Sequence, residues 1–371
     1  MSVILKFFRE NHILALIEQA IVKKKSRLSL HAFDIIEIPS LLYTCSDVEH
    51  LYLHRNRITT VPVEITQLLN LTTLTLDYNN ISYLPPEIGN LKNLVNLNIS
   101  YNPLNVLIPE IGDLENLEAF WCNRIGLREI PKEIEKLEKL DTFGARGNEL
   151  KTIPKEMTKL AKLRWLTLEN NVIEYLPDTM DNMVALVHCN LRNNCIQRFP
   201  NSMLKCPDLM FLQLNNNQIS SLPADFDTSS LLFLEMIDLR FNPICELSHP
   251  EHPLVRYAEE LPTDSTLIDM SPQASSSIRN HGAAQALVVN ATALRLPVGP
   301  APRHPDPVIL DIDLDASSVE SSEDWENSVN SSEIDVQYQS DDERAENEIA
   351  QFFQAVGMVL PELSRYASTA S

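Results

Sequence analysis

Residues 71–85 read LTTLTLDYNNISYLP, and this stretch decides the fold because close copies of it lie 23 residues before and 23 residues after it. With its variable positions written as x, the pattern is LxxLxLxxNxIxxLP. A repeat of this length forms a small structural unit that cannot bury its own apolar face. Neighbouring units therefore have to stack against one another, and the sequence predicts a solenoid.

The pattern runs over residues 28–245 as about ten 23-residue units. In each unit the LxL segment alternates inward apolar residues with outward variable ones, which is the periodicity of a β-strand. A proline then begins the segment that returns the chain along the convex side, because its fixed φ suits a short helical turn. The inward pairs of the ten strands are Leu28/Leu30, Leu51/Leu53, Leu74/Leu76, Leu97/Ile99, Phe120/Cys122, Phe143/Ala145, Leu166/Leu168, Cys189/Leu191, Leu212/Leu214 and Ile237/Leu239.

An asparagine follows the strand in eight units, at the point where the chain turns away. An inward amide there can bond backbone groups that would otherwise be buried without partners. Ile125 takes this position in the fifth unit, and if it points inward we expect an unpaired backbone group costing about 1–3 kcal/mol. Drift compensated by water and a functional distortion are the two explanations. The eight asparagines are Asn56, Asn79, Asn102, Asn148, Asn171, Asn194, Asn217 and Asn242.

Both ends of a solenoid expose an apolar cross-section that a terminal element must cover. Residues 1–27 are predicted to form an N-terminal cap helix, and the alternative is a membrane-surface helix led by Phe7 and Phe8. Residues 246–261 are predicted to form a C-terminal cap, made of a degenerate final turn and a short helix. The apolar stripe of the N-terminal helix is Ile13, Leu16, Ile17, Ala20 and Ile21.

The tail beyond the caps is acidic. From Pro262 onward the chain has 18 acidic residues against five arginines and no lysine. Residues 262–345 are rich in serine and acids and poor in large apolar residues, a composition typical of disorder. Within them, residues 308–313 (VILDID) resemble a SUMO-interacting motif, and serines such as Ser321 lie beside acids as acidophilic kinases prefer. Residues 346–366 place apolar residues at helical spacing, which indicates an amphipathic helix.

Composition excludes several classes of function. A net charge of −21 argues against non-specific nucleic-acid binding, which depends on lysine and arginine. The six cysteines are scattered singly, as in reduced cytosolic proteins. The charged N-terminus is not typical of a signal peptide, and no apolar run is long enough for a membrane span. Catalytic, phosphate-binding and dinucleotide-binding motifs are missing, so we expect a non-enzyme without a cofactor or metal.

With these repeats the chain resembles the Ras-group leucine-rich-repeat proteins, whose consensus is LxxLxLxxNxLxxLPxEIGxLxxLxx. The match is closest over residues 71–93, where LPPEIGNL is almost at consensus, and it extends over about 28–245. The resemblance implies an α/β solenoid, a horseshoe with a parallel sheet on its concave side. It also implies a cytoplasmic scaffold that recognises proteins, frequently Ras-type GTPases, kinases or phosphatases.

The outward residues of the strands should form columns across the concave face, which is the binding surface of such solenoids. Large apolar residues are informative there, because packing of the core does not require them. Tryptophan, tyrosine and arginine are enriched in interface hot spots. In the alternative, the indoles stack on neighbouring strand residues and merely cover the sheet. The predicted partner-binding residues are Tyr78, Tyr101, Trp121, Arg124, Arg146, Trp165, Arg192 and Phe211.

Three histidines of the first units, His31, His50 and His54, are expected to lie near one another on this face. Three histidines can bind zinc, but no cysteine or carboxylate completes a set at motif spacing. We therefore expect solvated surface histidines.

The leading hypothesis is an intracellular, monomeric interaction scaffold in signalling. The alternative is a nuclear, acidic chaperone-like or chromatin-associated protein that binds basic proteins through its tail. Its acids are interrupted by serines and aliphatic residues, so the unbroken acidic block that favours this role is missing.

Overall fold

The structure is a computed structural model that describes residues 3–246 and 252–258. The predicted disordered tail over 262–345, its motif at 308–313 and the helix over 346–366 lie outside the described residues. The described part belongs to the unit that ends at Leu261.

The described residues form one parallel sheet of eleven strands that follow one another in sequence order. Each strand is only two or three residues long, because each unit contributes one LxL segment before the chain turns away. The strands β1 to β11 are Arg27–Ser29, His50–Tyr52, Thr73–Thr75, Asn96–Asn98, Ala119–Trp121, Thr142–Gly144, Trp165–Thr167, His188–Asn190, Phe211–Gln213, Met236–Asp238 and Val255–Arg256.

Ten of these strands are the ten LxL segments of the sequence, so the predicted horseshoe solenoid is confirmed. The eleventh strand is a difference. It pairs Val255 with Ile237 of β10 inside the predicted C-terminal cap. Val255 and Arg256 therefore extend the sheet beyond β10, and residues 252–258 contain no helix.

The convex side consists of short 3-10 helical segments. Most of them begin directly after a proline in extended conformation, such as Pro85 with φ −66° and ψ 140° before the third segment. This is the role that the sequence predicts for the proline of the repeat. The segments are Ser40–Thr44, Val63–Gln67, Pro86–Asn90, Pro109–Asp113, Lys132–Lys136, Lys155–Lys159, Met180–Asn182, Asn201–Lys205 and Pro243–Glu246.

The core is a continuous column of leucine and isoleucine between the sheet and the convex segments. The inward residues of the strands are almost all fully buried, as Leu74 and Leu76 show. In the middle of the array Phe120 and Phe143 replace leucine and meet edge to face, with ring centroids 5.7 Å apart. Burial of this kind contributes about 1.5–3 kcal/mol per large apolar side chain.

The inward asparagines connect consecutive units, as predicted. The Nδ2 group of Asn79 donates to the carbonyls of Leu53 and Leu76, both at 2.9 Å. Its Oδ1 atom accepts the backbone N–H of Ile58 from the preceding unit, at 3.0 Å. The same three kinds of bond are formed by all eight asparagines.

The expectation of an unpaired backbone group at Ile125 is wrong. Ile125 does point inward and is buried, but its N–H donates to Oδ1 of Asn148 in the next unit, at 3.0 Å. In the preceding unit, the N–H of Leu104 donates to the carbonyl of Asn102 instead of to an asparagine side chain. A local backbone hydrogen bond and the side-chain amide of the next unit together replace the asparagine amide that is missing at position 125.

The helix α1, Val3–Val22, packs against the first unit. Ile13, Ile17 and Ala20 of the predicted stripe are buried, and Leu16 and Ile21 pack partly against the same core. No helix among the described residues is long and apolar enough to cross a membrane.

Candidate protein-binding surface

The concave face carries three columns of outward side chains, aligned by the parallel register of the strands. Column 1 contains the first residue of each strand and column 2 contains the third. Column 3 contains the second residue after each strand. The third residue after each strand forms a fourth column, which we call the turn column. Trp165 and Phe211 lie in column 1, Trp121 in column 2, Arg146 and Arg192 in column 3, and Tyr78, Tyr101 and Arg124 in the turn column.

Trp121 is half-buried because its indole lies across the next strand. Its partner in the register of β6 is Gly144. A Cβ atom added to Gly144 would lie only 2.9 Å from Cδ1 of Trp121. The glycine thus makes room for the indole, which leaves part of the ring on the open face.

An aromatic strip crosses strands β7 to β9 in column 1. The ring centroids of Trp165 and His188 are 5.3 Å apart, and those of His188 and Phe211 are 6.2 Å apart. His188 is buried between its neighbours, and this burial lowers its pKa to about 4. The imidazole is therefore neutral at neutral pH, and the strip is uncharged.

Glu169 is a buried carboxylate in column 3, between Arg146 and Arg192. Only 3% of its side chain is exposed, and its Oε1 accepts Nη2 of Arg192 at 2.7 Å. It also accepts the side-chain amides of Asn190 at 3.0 Å and Asn170 at 2.9 Å. These three hydrogen bonds to a charged group satisfy the carboxylate of Glu169, and the bond from Arg192 holds its guanidinium in one position.

The turn column contains a stack of two tyrosines between two arginines. The rings of Tyr78 and Tyr101 are 4.1 Å apart and nearly parallel, at 10°. The guanidinium of Arg55 lies 5.3 Å from the first ring, and that of Arg124 lies 5.6 Å from the second. Such cation–π contacts are worth about 0.5–1 kcal/mol at exposed sites. We call these four residues the Arg–Tyr stack.

The backbone of the Arg–Tyr stack is left-handed. Its φ values are +54° at Arg55, +52° at Tyr78, +55° at Tyr101 and +50° at Arg124. Bulky residues rarely adopt this region, and its cost persists only where the surrounding structure enforces it. Here the turn after each strand enforces it, because the next residue, asparagine in most units, must point inward.

Asp77 lies beneath this stack in column 3 and is almost completely buried. Its Oδ2 atom has no hydrogen-bond partner. Burial raises its pKa to about 7, against the opposing effect of a backbone hydrogen bond and of the Arg55 charge. Its protonation is therefore balanced near neutral pH.

The three histidines of the first units differ from the expectation of solvated side chains. Each is half-buried and has its Nδ1 atom within hydrogen-bond distance of a hydroxyl group. The rings of His31 and His54 stack at 4.7 Å, and burial is the main cause that lowers the pKa of His54 to about 3. The residues that the structure describes contain no cluster of histidine, cysteine and carboxylate that could hold a metal.

The eight predicted residues fall into two groups on this face. Tyr78, Tyr101, Trp121, Arg124 and Arg146 lie over strands β3 to β6, whereas Trp165, Arg192 and Phe211 lie over β7 to β9.

Sequence reasoning missed three residues that complete these groups, which are Arg55, Glu169 and His188. All three could have been found by reading each column at the 23-residue spacing. The burial of Glu169 and His188 has no such signal in the sequence.

Comparison with known proteins agrees with this architecture. A family model described as Leucine rich repeat matches residues 46–104, and a second model of the same description matches residues 93–117. The array is a leucine-rich-repeat solenoid. No curated protein matches the chain.

Solved structures that are similar to this chain include a leucine-rich-repeat protein of Leptospira interrogans. It is 29% identical, with 61% of this chain and 69% of that chain covered, at a TM-score of 0.48. The leucine-rich-repeat domain of APL1B is 21% identical, with 62% of this chain and 68% of that chain covered, at a TM-score of 0.51.

TLR13 in its complex with ssRNA13 is also 21% identical, with 56% of this chain covered and a TM-score of 0.50. The chain spans about a third of the TLR13 chain, at 31%. At such identity the structures of APL1B and TLR13 share only the fold with this chain, and fold alone does not determine what a solenoid binds.

Proposed function

We propose that this leucine-rich-repeat chain is a non-enzymatic interaction scaffold that binds a protein partner on its concave face. One observation supports this most: Trp121, Trp165 and Phe211 stay partly accessible at positions that the core does not need. Aromatic and arginine side chains on a rigid, preformed face are the composition of interface hot spots. Their packing against neighbouring strands fixes their orientation, which lowers the entropy lost on binding.

We propose further a cellular compartment and a class of partner. The resemblance to the Ras-group proteins supports a cytoplasmic role in signalling, with a Ras-type GTPase, a kinase or a phosphatase as the partner. The nuclear alternative is supported by the net charge of −13 from Pro262 onward. Proximity labelling with the full chain separates the two, because GTPase or phosphatase neighbours support the first and histone neighbours the second.

The binding site is tested by Trp121→Ala combined with Arg146→Glu in the full chain. We expect partner capture in a pull-down to fall by about tenfold or more, because two central contacts are lost. The melting temperature should stay within a few degrees of that of the wild type. The matched control is Tyr175→Ala with Arg198→Glu, which removes an aromatic ring and reverses an arginine, both exposed and outside the columns. Equal capture by wild type and the Trp121 variant would reject the concave site.

A further inference from the structure

Charge is divided between the two edges of the concave face. The edge where the strands end, formed by column 3 and the turn column, carries five arginines and two carboxylates, a net of +3. We call it the arginine edge. The residue immediately before each strand forms the opposite, acidic edge, with four acids and one arginine, a net of −3. The first edge contains Arg55, Arg124, Arg146, Arg192, Arg240, Asp77 and Glu169, and the second contains Glu49, Glu118, Asp141, Glu235 and Arg164.

The two edges lie close enough for one partner segment to contact both. Thr72 of the acidic edge and Asp77 of column 3 are five residues apart. At about 3.3 Å per residue, this places the edges about 16 Å apart across the face. The whole chain has a net charge of −21, so the positive charge of the arginine edge is a local feature.

The guanidinium groups of Arg124 and Arg192, in the middle of the arginine edge, are held in place before any partner binds. Arg124 is exposed and lies on the ring of Tyr101, which keeps its charge because the contact is not with a carboxylate. Arg192 is oriented by Glu169. Arg240, by contrast, forms a forked pair with Asp238, with bonds of 2.9 and 2.7 Å, so its charge is neutralised. The net positive charge of the middle of the edge therefore comes from Arg124 and Arg146. Arg192 beside them is an oriented hydrogen-bond donor whose charge is balanced by Glu169.

We infer that the partner is a protein segment whose aspartate or glutamate side chains dock on Arg124, Arg146 and Arg192. The same segment presents neutral or basic side chains to the exposed Glu118 on the acidic edge, since Asp141 there is already paired with Arg164. Arginine recognises carboxylates through forked hydrogen bonds, and preordered side chains lose little entropy on forming them. A nucleic acid fits less well, because its uniformly negative backbone would cross the acidic edge. This inference rests on the proposed concave binding site.

The test uses the full chain and a phage-displayed library of random peptides of about 12 residues, which reach both edges when extended. We expect the selected peptides to be rich in aspartate and glutamate. A chain of net charge −21 would enrich basic peptides if charge alone drove binding, so acidic peptides indicate a local site.

Binding of the selected peptides is then measured against variants. Arg124→Glu alone, and together with Arg146→Glu, should weaken binding by about tenfold or more, and raised salt should weaken it too. Changing the acids of a selected peptide to lysine should restore its binding to the Arg124→Glu variant. Arg198→Glu, a reversal of the same size at an exposed residue outside the columns, should have no effect.

The outcomes separate the two proposals. If Trp121→Ala abolishes binding but both charge reversals leave it unchanged, the concave site stands and the acidic partner is rejected. If none of these variants changes binding, both are rejected. Selected peptides that are basic or without charge preference also overturn the inference. The inference is also overturned if a single-stranded oligouridine probe displaces the peptides and if binding of that probe depends on Arg124.

Discussion

At the scale of single residues, Asp77 is an incompletely satisfied buried group of the concave face. Its carboxyl is buried with one oxygen unpaired, and its pKa is raised to about 7. A buried carboxylate without partners destabilises the folded state unless it takes up a proton. The position therefore lowers stability at neutral pH, which is typical of surfaces kept for binding rather than for folding.

The stability contribution of Asp77 should depend on pH. Its pKa is higher in the folded chain than in the unfolded one, so the folded state binds the proton more tightly. Its contribution is most favourable below about pH 4 and falls as pH rises to about 7, by about 4 kcal/mol at most. Asp77→Asn should therefore gain stability over the wild type as pH rises from 4.5 to 7.5, measured by urea unfolding.

The control for Asp77 is Asp113→Asn, which should behave in the opposite sense. Hydrogen bonding to Lys136 lowers the pKa of the exposed Asp113 carboxyl, so its stabilising effect is present at neutral pH and lost in acid. Parallel pH profiles for Asp77→Asn and the wild type would contradict the assignment.

The inward asparagine allows a prediction at the same scale. Asn79→Ala removes bonds to the carbonyls of Leu53 and Leu76 and to the N–H of Ile58, leaving buried backbone groups unpaired. We expect a loss of about 2–4 kcal/mol, since one such group costs about 1–3 kcal/mol. Asn80→Ala, at the exposed neighbouring position, should cost less than about 0.5 kcal/mol in the same chemical unfolding measurement. Equal losses would disprove the role of Asn79.

At the scale of the elements, the convex segments of the third to fifth units pack unusually closely. Gly89 faces the carbonyl of Glu110 in the next segment, and Gly112 faces that of Glu133. The equivalent positions of other units hold side chains, such as Glu135 and Thr158. The glycines are thus needed for a close approach between segments, and not for a special backbone conformation.

Gly112→Ala should be destabilising for this reason. A Cβ atom would lie 2.2 Å from the carbonyl oxygen of Glu133, which is backbone and cannot rotate away. We expect a loss of about 1–3 kcal/mol in the free energy of unfolding, as for other overpacked sites. The control is Glu135→Ala at the equivalent position of the next unit, where a side chain is already accommodated. An unchanged melting temperature for Gly112→Ala would contradict the close approach.

At the scale of the whole array, the helix α1 protects the first unit from water. Ile17 is fully buried against the core that the following units continue. Ile17→Glu should therefore raise hydrogen exchange first in β1 and β2 and later in the middle of the array, because units in a solenoid stabilise mainly their neighbours. Glu18→Ala, at an exposed position of the same helix, is the control. A uniform rise in exchange along all the strands would reject the cap role.

Much of this array could be predicted from the sequence, because its physics repeats. The repeat places ten of the eleven strands, and the inward asparagines follow from the need to bond buried backbone groups. The close approach at Gly112 could not be predicted, because it depends on the distance between units. Nor could the bonding around Ile125, since Asn148 and Asn102 supply it from other units. The candidate site could be predicted in part. Its columns follow from the 23-residue period, but the burial of Glu169 and Asp77 does not.

The glycines of the convex side also influence the arc of the horseshoe. Strands in a parallel sheet are held about 4.8 Å apart, so the bend of the arc depends on how widely the opposite side spreads. Where Gly89 and Gly112 let the convex segments approach, we expect successive units to be tilted less and the arc to have a larger radius. Tyr78, Tyr101 and Arg124 lie over the same units. The breadth of a partner that can touch all three at once is therefore set partly by two residues on the far side of the molecule.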